Sequence, residues 1–279
     1  MAERKTAVLT GSTGGIGSAI ARHLVADGWA LVLVNRNAAK AEAQAEALGD
    51  ADITLVQADL MDVPQIKRAA TKILAAHPRI DALYNNSGVL TSQRVMSIQG
   101  HESNYAVNVL APYVLLEALR PGLTRAGGQA MILNTTSSAQ SSAKALDVAA
   151  LSNPPEIGGL MGAYATSKLA LTTMGAAMAT GLQDDGILLR SVDPGAVLTP
   201  MTRTSDGMPW VLKLLAPFFF KTPETQARKM VNAAKPDAYG GRTGIYITDG
   251  KERPRPKLAG DTALQAALLD KLAADAAAA

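Results

Sequence analysis

The chain has 279 residues, of which 48% are apolar and 18% charged. That is too apolar for a disordered chain and long enough to bury one large core. It has no cysteine and carries 27 basic against 24 acidic side chains, which excludes a disulfide framework, a thiolate metal site, an iron–sulfur cluster and a thiol nucleophile, and gives no electrostatic reason to expect a nucleic-acid partner.

The first apolar run, Thr6–Thr10, reads as a strand. It ends in Thr10-Gly11-Ser12-Thr13-Gly14-Gly15-Ile16-Gly17, and a helical pattern over Ile16–Asp27 follows. A glycine-rich turn between strand and helix lets backbone N–H groups and a helix N-terminus face a pyrophosphate. The spacing is not G-x-G-x-x-G, and no Gly-Lys-Ser/Thr follows, so a P-loop is excluded. It fits T-G-x-x-x-G-x-G through Gly11, Gly15 and Gly17, and equally T-G-x-x-G-x-x-G through Gly14. Ser12, Thr13 and Ile16 lie in the same loop as candidate cofactor contacts.

The second strand, Leu31–Asn35, ends in Asn35-Arg36-Asn37. An acidic residue there would suit the ribose hydroxyl of NAD, and an arginine the 2′-phosphate of NADP. The acid is missing and Arg36 is present, so NADP(H) is favoured over NAD(H). A helix over Ala38–Leu48 leads to strand Ile53–Gln57, after which Asp59 and Leu60 are candidates for the adenine side. Helix Val63–Ala76 and strand Asp81–Asn85 follow, the latter running into Asn86-Ser87-Gly88. The next helix, Glu102–Leu119, carries Asn108.

Strand Ala130–Thr135 ends in Thr136-Ser137-Ser138-Ala139. A loop from Ala139 to about Ala163 leads to a helix over Tyr164–Thr180 that opens Tyr164-Ala165-Thr166-Ser167-Lys168. Four-residue spacing puts the phenol and the ammonium on one helix face. A nearby cation favours a phenolate, which would turn a group with an ordinary value near 10 into a usable general acid/base. Strand Ile187–Val192 then runs into Asp193-Pro194-Gly195. The stretch of about 195–236 is expected to cover the substrate. It holds Val197, Thr199, all three phenylalanines and one of the two tryptophans, with Trp210, Phe218 and Phe219 as substrate candidates, and it ends in helix Pro223–Ala234. Strand Gly244–Thr248 is the seventh. Leu264, Leu268 and Leu272 mark a C-terminal helix within Asp261–Ala279 whose last alanines should fray.

Short apolar strands alternating with helices predict an α/β fold: a Rossmann-type, doubly wound, seven-stranded parallel sheet with helices on both faces, in a single domain over 1–279. Its polar clusters fall at the carboxyl ends of the strands, where such sheets bind ligands. No run of about 18 apolar residues is present, so membrane association is not expected. No signal pattern precedes the first strand, so the cytoplasm is the expected location.

Taken in order, the glycine loop, Asn-Asn-Ser-Gly, Asn108, the strand-end serine, Tyr-x-x-x-Lys and Pro-Gly-x-x-x-Thr resemble the short-chain dehydrogenase/reductase family from Lys5 to about Gly250. The long interval from Ser137 to Tyr164, with Asn35-Arg36-Asn37 and Tyr246-Ile247-Thr248-Asp249-Gly250, is similar to the retinol dehydrogenase and protochlorophyllide reductase-like branch. The resemblance implies that Tyr164 is the general acid/base and that Lys168 holds the nicotinamide ribose and lowers the phenol's proton affinity. It implies that Ser137 binds the substrate oxygen, with neighbouring Ser138 as the alternative, and that Asn108 holds a water in a proton relay. Asn86 and Gly88 would line the adenosine side, and Pro194, Gly195, Val197 and Thr199 the nicotinamide. The implied activity is hydride transfer between NADP(H) and an apolar carbonyl or alcohol, by a homodimer or homotetramer. A nucleotide-sugar epimerase or dehydratase fits less well, because only about 80 residues follow Pro194. A cofactor-binding sensor or scaffold without turnover is the alternative from another class.

Overall fold

A computed structural model describes residues 4–126, 128–158, 161–197 and 221–279. Thr199, Trp210, Phe218 and Phe219 lie outside the described residues. Eight strands form one sheet: β1 (Thr6–Thr10), β2 (Ala30–Asn35), β3 (Ile53–Gln57), β4 (Ala82–Asn85), β5 (Ala130–Thr135), β6 (Ile187–Asp193), β7 (Ile245–Thr248) and β8 (Lys251–Arg253). Their order is β3-β2-β1-β4-β5-β6-β7-β8. All neighbours are parallel except β7 and β8.

The expected seven strands are present, and the eighth is a correction. Thr248 pairs with Lys251 across Asp249 and Gly250, both at positive φ (54° and 76°). That is a two-residue hairpin turn, and Asp-Gly is a common sequence for it. The three charged residues of β8 lack any apolar alternation, so only the turn signals the strand.

Strands β1, β2, β5 and β6 are buried along their whole length, because helices cover both faces. Alternate residues still divide between the two sides. Leu31 and Leu33 pack with Ile20 and Leu24 of α1 (Gly15–Ala26), on the side that also holds α7 (Pro223–Ala233). Val32 and Val34 pack on the other side with Ile66 and Ile73 of α3 (Val63–Ala76). The latter side also carries α5 (Ala111–Thr124), α6 (Gly162–Asp184) and α8 (Thr262–Ala277), while α2 (Ala38–Ala47) buries little beyond Ala41. Each fully buried Leu or Ile contributes roughly 1.5–3 kcal/mol relative to exposure.

Several helix starts carry side-chain caps: Asn37 accepts from the Lys40 amide at 2.9 Å, Asp62 from the Gln65 amide at 3.1 Å, Thr222 from the Thr225 amide at 3.2 Å, and Asp261 from the Ala263 amide at 2.9 Å. The helix expected over Glu102–Leu119 is interrupted. A short α4 (Ser103–Tyr105) passes into a π-helical turn, Ala106–Leu110, before α5 begins. The helix expected over Tyr164–Thr180 runs longer, as α6. The C-terminal helix ends at Ala277; near that end the Lys67 ammonium donates to the Ala276 carbonyl at 2.7 Å, and Ala276 and Ala279 pack against the core.

Arg190 sits inside β6 with no exposure, its guanidinium donating to the carbonyls of Ala233, Lys235, Pro236 and Arg242 at 2.8–3.0 Å. It ties the end of α7 to the sheet, satisfying carbonyls that a helix C-terminus leaves open. No helix among the described residues is long and apolar enough to cross a membrane.

Candidate active site

The sheet changes direction between β1 and β4, so the carboxyl ends of these neighbours flank a crevice. Thr10 closes β1, and its hydroxyl accepts the amides of Asn86 and Ser87, both at 3.0 Å. The Asn86 side chain donates back to the carbonyls of Thr10 and Gly11, at 3.2 and 3.3 Å. Gly11 has φ +68°, and a Cβ there would lie 2.7 Å from the Ser87 hydroxyl. A Cβ on Gly17 would lie 2.2 Å from the Gly11 carbonyl oxygen, and only glycine fits. Ser12 is fully buried, with its hydroxyl accepting from the Asn35 amide at 2.8 Å. Gly14 precedes α1 and offers no side-chain cap. The first-turn amides of α1 are thus left for an anion, in the manner of dinucleotide sites. Thr13 is exposed, Gly15 and Ile16 partly so. Arg36 is 75% exposed and lies 3.8 Å from the Asp59 carboxylate, and Leu60, beside it, packs partly into the core.

Deeper in the crevice the site is made of side chains. Lys168 is 3% exposed, and its ammonium donates to the Thr135 carbonyl at 2.8 Å. It sits 5.8 Å from the centre of the Tyr164 ring. The Ser137 side chain lies near the Tyr164 phenol, close enough to favour its ionised form. Ser138 is exposed and turns to Asp193 instead, so Ser137 is the serine beside the phenol. Burial pushes the Tyr164 phenol up; the nearby Ser137 side chain opposes that and the Asp193 charge adds to it. Burial also lowers Lys168 to about 8, against the pull of Asp193. Burial is thus the dominant influence on the phenol, and the ammonium expected to lower it donates to the Thr135 carbonyl.

Asn108 occupies the middle of the π turn and is fully buried. Its Oδ1 accepts the Val89 amide at 2.9 Å, and its Nδ2 donates to the Val89 carbonyl and the Ser167 hydroxyl, each at 3.0 Å. Ser167 in turn donates to the Tyr164 carbonyl at 2.7 Å. A Cβ on Gly88 would lie 3.2 Å from Asn108 Oδ1 and 3.3 Å from the Lys168 ammonium. A π turn of this kind often marks a functional position in a helix. Pro194 is buried, Gly195 has φ +73°, and Val197 pairs with Lys221.

The family model for "short chain dehydrogenase" matches residues 5–209. The chain belongs to the short-chain dehydrogenase family. A chloroplastic short-chain dehydrogenase, TIC 32 B of Brassica napus, is 30% identical over 281 residues, covering 96% of this chain and 88% of that protein. Retinol dehydrogenase 12 of Mus musculus is 28% identical, covering 88% of this chain and 78% of its own length. Among solved structures, the RhlG/NADP active-site complex of Pseudomonas aeruginosa superposes with a TM-score of 0.72 at 26% identity, covering 88% of this chain and 95% of that one. As a member of this family the protein is an oxidoreductase of Rossmann type that works with a nicotinamide cofactor.

In this short-chain dehydrogenase, the structure gathers Gly11, Ser12, Gly17 and Asn86 at one end of the crevice and Asn108, Ser137, Tyr164 and Lys168 at the other, with Gly88, expected on the adenosine side, packed against Asn108 and Lys168. Arg36 and Asp59 meet at its rim. Sequence reasoning misses Thr10, Asn35, Ser167, Thr135 and Asp193, which hold the predicted residues in place. Of these, Thr10 and Ser167 have a signal, as the threonine of T-G-x-x-x-G-x-G and as a residue inside the Tyr-x-x-x-Lys stretch. The others act through contacts between distant strands, with no local pattern. A cavity of about 490 Å³ lined by Lys5, Trp29, Arg79, Tyr84 and Met131 lies elsewhere and includes none of the predicted site residues. Among the described residues no three His, Asp or Glu side chains are grouped to hold a metal.

Proposed function

We propose that this dehydrogenase interconverts an apolar carbonyl compound and its alcohol with NADP(H), using Tyr164 as the general acid/base. The observation that carries the reading is the buried Lys168 beside the Tyr164 ring, with Ser137 near the phenol, at the same sheet end as an uncapped helix N-terminus and a glycine loop. The residues present fit a dinucleotide: backbone amides without side-chain caps for the pyrophosphate, a close-packed turn with no room for Cβ atoms, and an exposed guanidinium where a 2′-phosphate would lie. When bound, the nicotinamide supplies or accepts the hydride.

The protein's own part is polarisation and proton transfer. In reduction, the hydroxyls of Ser137 and Tyr164 donate to the substrate oxygen, which gains negative charge as the carbonyl is reduced. Tyr164 then releases its proton to that oxygen, and the Lys168 ammonium stabilises the resulting phenolate. In oxidation the phenolate takes the proton back. Asn108 fixes the Gly88–Val89 segment against Lys168; a relay water would use the second lone pair of its Oδ1, since its other hydrogen-bonding capacity is taken. The buried, raised phenol suits the acid role, and it favours reduction near neutral pH.

NADP(H) preference rests on Arg36, and the similarity to the Pseudomonas aeruginosa RhlG/NADP complex agrees with it. The apolar substrate class rests on the similarity to retinol dehydrogenase 12. The test is a panel of hydrophobic ketones, aldehydes and alcohols assayed by cofactor fluorescence, with Tyr164→Phe as the control. Turnover should fall by about 10³-fold in the variant, with the cofactor dissociation constant nearly unchanged. Retained turnover in Tyr164→Phe sinks the assignment; cofactor binding without turnover of any compound supports the sensor alternative.

A further inference from the structure

Asp193 closes β6 with 1% exposure, and the mechanism above makes no use of it. Its Oδ1 accepts the Gly195 amide at 2.7 Å, and its Oδ2 accepts the Tyr246 hydroxyl at 3.4 Å. The backbone and hydroxyl of Ser138 lie against the same carboxylate. Three elements therefore converge on one carboxylate: the turn after β5 that presents Ser137, the turn that begins at Gly195, and β7. No Lys or Arg among the described residues forms an ion pair with it. A carboxylate buried among neutral donors is costly, and here that cost falls directly beneath the reacting groups.

We propose that Asp193 is a positioning residue: its carboxylate holds the Ser137–Ser138 turn and the Gly195 turn in one register, and its charge stands behind Lys168 and Tyr164, favouring the ammonium on the one and the protonated phenol on the other. The proposal rests on the reading of Tyr164 as the acid/base. The charges and dipoles around Asp193 are few. From α6 come Tyr164 and Lys168, from the turn after β5 Ser138, and from β7 Tyr246, which Gln140 also contacts. Asp249, whose amide donates to the Asp193 carbonyl, keeps its own carboxylate on Lys221 and Lys229.

The sign follows from electrostatics. An anion at Asp193 favours the ammonium on Lys168 and disfavours the phenolate on Tyr164. Removing the charge lowers the proton affinity of both. A residue that only fills space would leave the pH at which Tyr164 ionises where it is.

The test compares Asp193→Asn, Asp193→Glu and Tyr246→Phe with the unaltered protein. Asparagine keeps the size and an acceptor but loses the charge. Glutamate keeps the charge but moves it by one methylene. Tyr246→Phe removes one hydrogen bond and leaves the charge in place. The first readout is the near-ultraviolet phenolate transition of Tyr164, taken as the difference between each protein and its Tyr164→Phe counterpart; it needs no substrate. The second is the pH profile of kcat/KM. In Asp193→Asn both transitions should move to lower pH, with kcat down on the order of tenfold or more because Ser137 is no longer held in place. In Asp193→Glu kcat should fall with the phenolate transition near its original pH, and in Tyr246→Phe the transition should stay in place. An unmoved or upward-moved phenolate transition in Asp193→Asn overturns the proposal; if that variant does not fold, unaltered kcat in Asp193→Glu overturns it. Turnover retained in Tyr164→Phe overturns only the underlying reading of Tyr164, and the two failures are read from different proteins.

Discussion

The two ends of the crevice are built on opposite requirements. At the glycine end the structure demands the absence of atoms: Gly11 and Gly17 have no room for a Cβ, and the amides ahead of α1 are left uncapped. At the tyrosine end it demands particular ionisable atoms in a dry place, with Lys168 and Asn108 nearly or fully buried and their hydrogen bonds directed to Thr135, Val89 and Ser167. The first kind of site is rigid because its backbone is packed. The second is sensitive because its charges are desolvated. A substitution at the first end should therefore damage binding and stability together, whereas one at the second should separate activity from stability.

The largest expected effect is at the glycine end. Gly17→Ala drives a Cβ to 2.2 Å from the Gly11 carbonyl oxygen, which a backbone atom cannot easily evade. It should cost about 3 kcal/mol of stability and weaken cofactor binding, as read by thermal unfolding and by fluorescence titration. Stability near that of the unaltered protein would show that the loop can yield and would blur the contrast between the two ends.

Next in size is Arg36→Asp. A charge-assisted hydrogen bond contributes roughly 1.5–3 kcal/mol, so NADPH affinity should fall by about 10- to 100-fold while NADH affinity falls less or rises. Equal losses for the two cofactors would remove the basis for preferring the phosphorylated one. The fold should be untouched, since Arg36 is 75% exposed and its partner Asp59 lies at 3.8 Å.

The smallest expected change in stability is at the tyrosine end, and it has the opposite sign. Burial lowers Lys168 to about 8, so between that pH and its ordinary value near 10.4 the unfolded chain binds more protons than the folded one. Stability carried by this group therefore rises with pH across that window, and its cost is fully present below it. Lys168→Met should abolish turnover yet raise the melting temperature at pH 7, with the gain shrinking as pH climbs through about 8 and beyond. A lower melting temperature at pH 7 would mean that the bond to the Thr135 carbonyl outweighs the burial of the charge.

Much of this is legible in the chain itself. The periodicity of short apolar runs places seven strands, and Gly11, Gly17, Tyr164 and Lys168 announce themselves because their constraints are local: a turn with positive φ, a helix start, a four-residue spacing on one face. β8 escapes that reading because its only mark is Asp249-Gly250. The π turn at Asn108 escapes it because it has no periodic signature. The state of the phenol departs from expectation for a different reason. Spacing puts Lys168 beside Tyr164, but the direction in which the ammonium points, and the water removed from both, depend on β5 and β6.

The amino-acid sequence by itself thus determined the doubly wound architecture, the family and the residue types that carry proton and cofactor chemistry, because each is written in contacts only a few positions apart. Only the tertiary structure decided which serine lies near the phenol, where the Lys168 ammonium is directed, and that no Lys or Arg among the described residues forms an ion pair with the buried Asp193. These are properties of strands brought together from distant parts of the chain, where burial sets the strength of every charge.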